Sequence, residues 1–339
     1  MKSSMARALI LKFSSPKDTI FEPFVGSGVI ALESLIAGRG IVCCDSNPYA
    51  VVLTRAKLFP PRNLTDALDL AEYYLEMSMD ELTEVNLRDI PKWVRDFFHP
   101  ETLRETAALV RVLKRHEQYF LLACLLGILH HQRPGFLSYP ASHAVPYLRT
   151  KKFPKSLYPE LYQYRSVRPR LLQKIARTYR RFPEIDHSLP KKCYLKDATK
   201  LRLPENSIAA VITSPPYMNT LDYVRDNRLR LWFLGYTDEA ILNKAVPMNL
   251  GRFEKLMDGC LRVIHTALRP GGRCLFVAGE ICNSKSSLDT AQVILDISKK
   301  IGDFNCEQIM EDYVPRDRRI RKTGYRVRRE RIVVLRKEV

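Results

Sequence analysis

No stretch of this 339-residue chain approaches the roughly 18 consecutive apolar residues that a helix needs to cross a bilayer. The N-terminal MKSSMARALILKF has too short an apolar run, and no small-residue cleavage pattern, for a secretory signal. No CxxC pair occurs among the eight cysteines, at 43, 44, 124, 193, 260, 274, 282 and 306. Their surroundings are mostly apolar, which argues against a zinc site and predicts buried thiols in a reducing cytoplasm. His130-His131 and His143 have no partners at ligand spacing, so no metal is expected and these histidines read as structural or substrate-facing. Gly-x-Ser-x-Gly is missing, which removes a serine hydrolase, and Gly-Lys-Ser/Thr is missing, which removes a P-loop.

Charge is abundant but unevenly placed. The net charge is +18. Residues 149–192 hold thirteen Lys and Arg against three acids, and residues 315–339 hold eleven against three. These two windows account for the whole excess. Tyr158, Tyr162, Tyr164, Tyr179 and Tyr325 are interleaved with them. Clustered cations with aromatics between them suit a polyphosphate backbone, so nucleic acid is the expected partner rather than a lipid surface.

The chain reads as one α/β core interrupted by helices. DTIFEPF (18–24) is a short apolar strand, Gly26-Ser27-Gly28 a turn, and 29–37 a helix stopped by Gly38. Gly40 to Cys44 is a second strand, ending at Asp45. Strand, glycine turn, helix, strand, acid is the front half of a nucleotide-binding unit. From about 60 to 190 helical periodicity takes over, with helices expected near 64–86, 101–116, 117–131 and 168–181. The strand–helix rhythm then resumes: strands at 192–195 and 208–213, a helix at 251–268, a turn at Arg269-Pro270-Gly271-Gly272 and a strand at 274–278. A helix near 287–301 and strands near 304–314 and 331–336 complete the core. The expected organisation is a core of 1–59 plus 191–339, and a mostly helical insert, 60–190, that handles nucleic acid.

The glycine turn departs from a dinucleotide fingerprint, because position 31 is Ala and Asp45 arrives only 17 residues after Gly28. Glycine still lets a backbone pass close to a ligand, and an acid closing the second strand can take both hydroxyls of a ribose. Later, the strand 208–213 runs into Ser214-Pro215-Pro216-Tyr217, a stiff turn with no N–H at two successive positions.

Glu22-Pro23-Phe24-Val25-Gly26-Ser27-Gly28 resembles the S-adenosylmethionine motif of amino-directed DNA methyltransferases. Ser214-Pro215-Pro216-Tyr217 resembles their catalytic motif, in the Ser-Pro-Pro-Tyr form typical of cytosine-N4 enzymes. The resemblance covers about 18–58 and 192–280, in the order cofactor motif then catalytic motif, and leaves the insert uncovered. It implies a Rossmann-like class I methyltransferase sheet with a helical insert between strands two and three, and S-adenosylmethionine as cofactor. By position, Glu22, Phe24, Gly26 and Gly28 would face the methionine part, Asp45 the ribose hydroxyls and Asp197 the adenine amine. It also implies DNA methylation in the cytoplasm, with a restriction endonuclease as companion. Methylation at carbon 5 is set aside, since that family needs a Pro-Cys pair and none occurs.

The chemistry explains the turn. An exocyclic amine is a poor nucleophile because its lone pair is delocalised into the base. Acceptors that hold its hydrogens push the nitrogen toward tetrahedral geometry. The Ser214 hydroxyl and Pro215 carbonyl are the expected acceptors, and Tyr217 is expected to stack on a base taken out of the helix. Lys151, Lys152, Lys155, Arg165, Arg168 and Arg170 are expected on phosphates, with Asn219, Asp222 and Tyr223 lining the pocket. RDRRIRKTGYRVRRER (316–331) is expected to form a hairpin arm with Thr323-Gly324-Tyr325 near its tip, carrying Arg326, Arg328 and Arg329 to the backbone. Ser at 214 favours cytosine over adenine N6. An RNA substrate, ribosomal or transfer, and a non-catalytic nucleic-acid-binding protein are the alternatives.

Overall fold

The computed structural model describes residues 1–130, 136–142, 146–217, 223–237, 248–282, 287–313 and 326–338. In chain order the elements are α1 (Ser3–Phe13), β1 (Thr19–Glu22), α2 (Val29–Ile36), β2 (Gly40–Asp45), α3 (Pro48–Leu58), α4 (Leu64–Asp80), α5 (Lys92–Arg95), α6 (Pro100–Arg115), α7 (Tyr119–Leu126) and α8 (Val167–Tyr179). Then follow β3 (Lys191–Leu195), β4 (Ile208–Thr213), α9 (Tyr223–Asp226), α10 (Arg228–Phe233), α11 (Leu250–Ala267), β5 (Leu268–Cys282), β6 (Ser287–Asp289), α12 (Thr290–Ile301), β7 (Phe304–Tyr313) and β8 (Arg326–Lys337). No helix among the described residues is long and apolar enough to cross a membrane.

The chain divides into two compact units. The first comprises 1–54, 184–222 and 246–339, and the second 55–183 and 223–245. The expected organisation put 223–237 with the sheet; these described residues fall in the second unit.

The first unit is built on one mixed sheet of order β3-β2-β1-β4-β5-β8-β7, with β6 paired to β5. Strands β1 to β5 run parallel to one another, while β6 and β8 pair antiparallel with β5, and β7 antiparallel with β8. This is a Rossmann-like, doubly wound α/β sheet, with the helical insert leaving after β2 and returning at β3. Alternation along the strands sends Phe21, Val211, Cys274 and Phe276 to one face, where they form a core with Phe253, Met257, Leu261 and Ile264 of α11 and Ile294 of α12. Ile20, Ile41, Ala210 and Ile212 are buried on the other face, on the side where α2 packs against β1 and β2.

Three local expectations change. The turn expected at 269–272 is absorbed into β5, whose pairing with β4 slips between Ile208 and Ala210. Ser287–Asp289 is a short strand, and the Asp289 side chain caps α12 by accepting the Ala291 N–H. Cys306 is exposed, unlike Cys43, Cys44, Cys124, Cys193, Cys260 and Cys274, which are buried; it lies on the outermost strand, β7, where all of 305–309 are exposed.

The second unit packs α4 against α6 and α8, and α7 against α6 and α8. Asn63 caps α4 through the Asp66 N–H at 2.9 Å, and Leu103, Leu109, Val112 and Leu113 of α6 supply a buried stripe at helical spacing. In the same unit, Phe233 of α10 meets Phe98 edge-on at 6.0 Å, and the Arg228 guanidinium lies 4.0 Å over the Trp93 ring.

Candidate active site

The carboxyl ends of four neighbouring parallel strands carry the candidate residues of the first unit. Glu22 ends β1, Asp45 ends β2, Asp197 stands two residues beyond β3 and Ser214 follows β4. The strand order reverses between β1 and β4, and ligands of open α/β sheets bind outside the carboxyl ends at such a switch point.

The glycine turn is fastened from beneath. The Val25 N–H donates to the Cys44 carbonyl at 3.0 Å, and the Gly26 N–H donates to Asp45 Oδ2 at 2.9 Å. The other oxygen, Asp45 Oδ1, accepts the Asn47 N–H at 2.8 Å. Asp45 therefore holds two loops together, and with the N–H groups of Gly26, Asn47 and Ser46 on its carboxylate acceptor capacity is left for a further donor. Gly26 and Gly28 have φ of +52° and +73°, conformations that L side chains rarely adopt. Phe24 is half-buried and packs on the sheet core.

Glu22 is 4% exposed. Burial first, and then the charge of Asp45, push its carboxyl well above the ordinary carboxylate range, against the opposing charge of the N-terminal ammonium and a hydrogen bond from the Ala31 N–H. Its Oε2 is buried with no hydrogen-bond partner among the described residues. The Asp45 carboxyl is also raised, by burial, with the N–H groups of Asn47, Gly26 and Ser46 acting the other way. Thr54 Oγ1 and Thr213 Oγ1 are likewise buried without a partner; nothing in the sequence marks either position. Asp197 Oδ1 accepts both the N–H and the hydroxyl of Thr199 at 2.9 Å, and the Lys196 N–H donates to the Asp45 carbonyl at 3.0 Å.

Ser214-Pro215-Pro216-Tyr217 leaves the end of β4 as an irregular turn. The Ser214 hydroxyl donates to the Val277 carbonyl of β5 at 3.2 Å, so its lone pairs stay acceptors. The Tyr217 hydroxyl donates to Glu330 Oε1 of β8 at 2.6 Å. Asn219 and Asp222, and the Tyr223 side chain, lie outside the described residues.

The basic residues separate into two kinds. In the second unit, Lys151, Lys152 and Lys155 are exposed, and Arg149 and Lys152 sit over the Phe153 ring at 5.6 and 5.7 Å. Arg165, expected on a phosphate, is 8% exposed. Its guanidinium instead donates to the carbonyls of Phe136, Ser138 and Leu161, so it fixes a loop. Arg168 is ion-paired with Glu72, and Arg170 donates to the Ser166 carbonyl at 3.1 Å.

The expected arginine arm changes too. Arg326 to Arg331 are part of β8, paired with β5, while 314–325 lie outside the described residues, as do the side chains of Arg326 and Arg328. Arg329 pairs with Glu280 at 2.8 Å and with Glu311 at 3.7 Å. Arg331 pairs with Asp289 and Glu311. Cross-strand acids thus take up cations that the sequence places on a projecting hairpin.

No protein-family profile matches the chain. Two curated proteins are similar in sequence. Type II methyltransferase M.BsoBI of Geobacillus stearothermophilus is 25% identical over 264 residues, covering 70% of this chain and 52% of that protein. Type II methyltransferase M.MvaI of Kocuria varians is 24% identical over 324 residues, covering 87% of this chain and 68% of that protein. The chain therefore spans between half and about two thirds of their lengths. Among solved structures, a SAM-dependent methyltransferase from Methanosarcina mazei overlays with a TM-score of 0.39 at 9% identity, covering 98% of this chain and 97% of that one. TrmN from Thermus thermophilus gives 0.36 at 11% identity, covering 99% and 49%.

Proposed function

We propose that the chain transfers a methyl group from S-adenosylmethionine to the exocyclic amine of a base in DNA, with cytosine N4 the preferred position. The observation that carries this reading is the placement of Ser214-Pro215-Pro216-Tyr217 at the end of β4, beside β1, on the same sheet edge as Glu22, the glycine turn and Asp45. Similarity to two Type II methyltransferases supports a nucleic-acid base as the acceptor.

The residues present fit the cofactor. The unpartnered Glu22 oxygen is an acceptor suited to an ammonium group, and burial makes such a carboxylate gain from a cationic partner. Gly26 and Gly28 keep side chains off the turn, and Asp45 offers its remaining acceptor capacity to the ribose hydroxyls. When bound, S-adenosylmethionine supplies an electrophilic methyl on a sulfonium.

The chain's own work is positional. The Ser214 hydroxyl and Pro215 carbonyl accept the hydrogens of the target amine, which localises the nitrogen lone pair and aims it. Two prolines make the turn stiff, so the acceptors are in place before the base arrives. Tyr217 offers an aromatic face to that base. Lys151, Lys152 and Lys155 of the helical insert hold phosphates without reading sequence.

The test is product analysis. The chain is incubated with labelled cofactor and with DNA and RNA in parallel, and the digested nucleic acid is examined by mass spectrometry. N4-methylcytosine from DNA is expected. N6-methyladenine alone would overturn the cytosine preference and keep the amine chemistry, label in RNA alone would overturn the DNA assignment, and 5-methylcytosine would overturn the mechanism.

A further inference from the structure

Glu330 belongs to no motif, and 113 residues separate it from Tyr217. It lies in β8, where the register sets it opposite Gly279 of β5 and Asp312 of β7. Successive side chains of a strand point to opposite faces, so Arg329 and Arg331 share one face and Glu330 takes the other. Glu280, Asp289 and Glu311 absorb the two guanidinium charges on their own face. Among the described residues, the side-chain hydrogen bond at Glu330 is the one from the Tyr217 hydroxyl, at 2.6 Å. That length falls in the range of charge-assisted O–H···O⁻ bonds.

The rest of the turn is held nearby. Ser214 is bonded to the Val277 carbonyl, and Val277 lies in β5 two residues before Gly279, the partner of Glu330. The turn is thus fastened at its first residue to β5 and at its last to β8. A tyrosine has two rotatable side-chain bonds; its hydroxyl oxygen lies on the axis of the second, so holding that oxygen fixes the ring axis, and because a phenolic O–H prefers the ring plane, the direction of the bond to Glu330 biases the plane as well.

The geometry points to Glu330 as a positioning residue for methyl transfer, one that pre-sets the Tyr217 ring for the target base by holding its hydroxyl. This rests on the methyltransferase reading above. Glu330 touches neither base nor cofactor in this role. It removes the entropy that a free aromatic side chain would lose when the base stacks on it, an effect worth roughly three- to tenfold in rate for one immobilised side chain.

A double-mutant cycle tests it. Parent, Tyr217→Phe, Glu330→Ala, Glu330→Gln and the double variant Tyr217→Phe/Glu330→Ala are compared in single-turnover methyl transfer, with cofactor affinity measured calorimetrically. Tyr217→Phe and Glu330→Ala should each slow transfer about three- to tenfold. The double variant should be no slower than the slower single, because both remove one interaction. Glu330→Gln keeps an acceptor oxygen and should retain most of the parent rate, and cofactor affinity should not move in any variant. Losses that multiply in the double variant, or an unchanged rate in Glu330→Ala, overturn the positioning role while the parent's activity upholds the methyltransferase reading. A parent that transfers no methyl to DNA or RNA overturns both. The Phe and Gln variants change few atoms, so the comparison survives even if Glu330→Ala fails to fold.

Discussion

A Cβ built on Gly28 would stand 2.7 Å from Thr54 Oγ1 and 3.1 Å from the Thr54 Cα. Helix α3 therefore closes directly on the glycine turn, and position 28 is constrained twice, by contact and by its φ of +73°. Both constraints act on the loop that the proposed cofactor approaches.

Gly28→Ala should destabilise the first unit by at least about 1–2 kcal/mol, the usual cost of an L side chain in the left-handed region, with the clash added. Thr54→Ala on that background should recover part of the loss, since it removes Oγ1 but leaves the Cα and Cβ at 3.1 and 3.2 Å. Denaturant unfolding of the two variants measures this. Full recovery in the double variant would mean that the contact alone, and not the backbone conformation, fixes glycine there.

Local signals carried most of the fold. The glycine turn, the acids ending β1 and β2 and the helical stripe of α6 each lie within a few residues of sequence, where periodicity and turn chemistry act. Pairings over long separations left no such trace. Thr54 has no mark in the sequence as the neighbour of Gly28, and the Glu330 bond to Tyr217 depends on β8 being the strand next to β5. The basic windows misled for a related reason. Counting charge reveals neither that Arg165 is buried among carbonyls nor that β7 and β6 bring Glu311 and Asp289 to Arg331. The capped short strand at 287–289 reads as helix because Asp289 is an N-cap, one residue before the helix begins.

That division among cations gives a salt-dependence prediction. Lys151, Lys152 and Lys155 are exposed, so each is free to displace a counterion from a phosphate. Replacing all three with Ala should flatten the log–log salt dependence of duplex binding by about 0.9 per lost contact. Arg329→Ala should leave the slope unchanged, because Arg329 is already paired with Glu280 and Glu311. Fluorescence titrations at several salt concentrations separate the two. A flattened slope in Arg329→Ala would mean that DNA draws Arg329 away from its acids.

Glu22 gives a prediction of opposite sign for stability and for binding. Burial raises its carboxyl well above the ordinary range, so the fold favours the protonated form more than the unfolded chain does. The contribution of such a group is fully present below the unfolded value of about 4.3. It is lost as pH rises through the folded value. Glu22→Gln keeps the shape without the charge. Measured without cofactor, its melting temperature should match the parent's near pH 4 and exceed it increasingly as pH rises toward 8. Affinity for S-adenosylmethionine should fall at the same time by on the order of 1.5–3 kcal/mol, the usual value of a hydrogen bond to a charged group, because the ammonium loses its anionic acceptor. A variant that melts below the parent at pH 8, yet binds cofactor as tightly, would show that Glu22 is a structural carboxylate with a partner of its own and no part of the cofactor site.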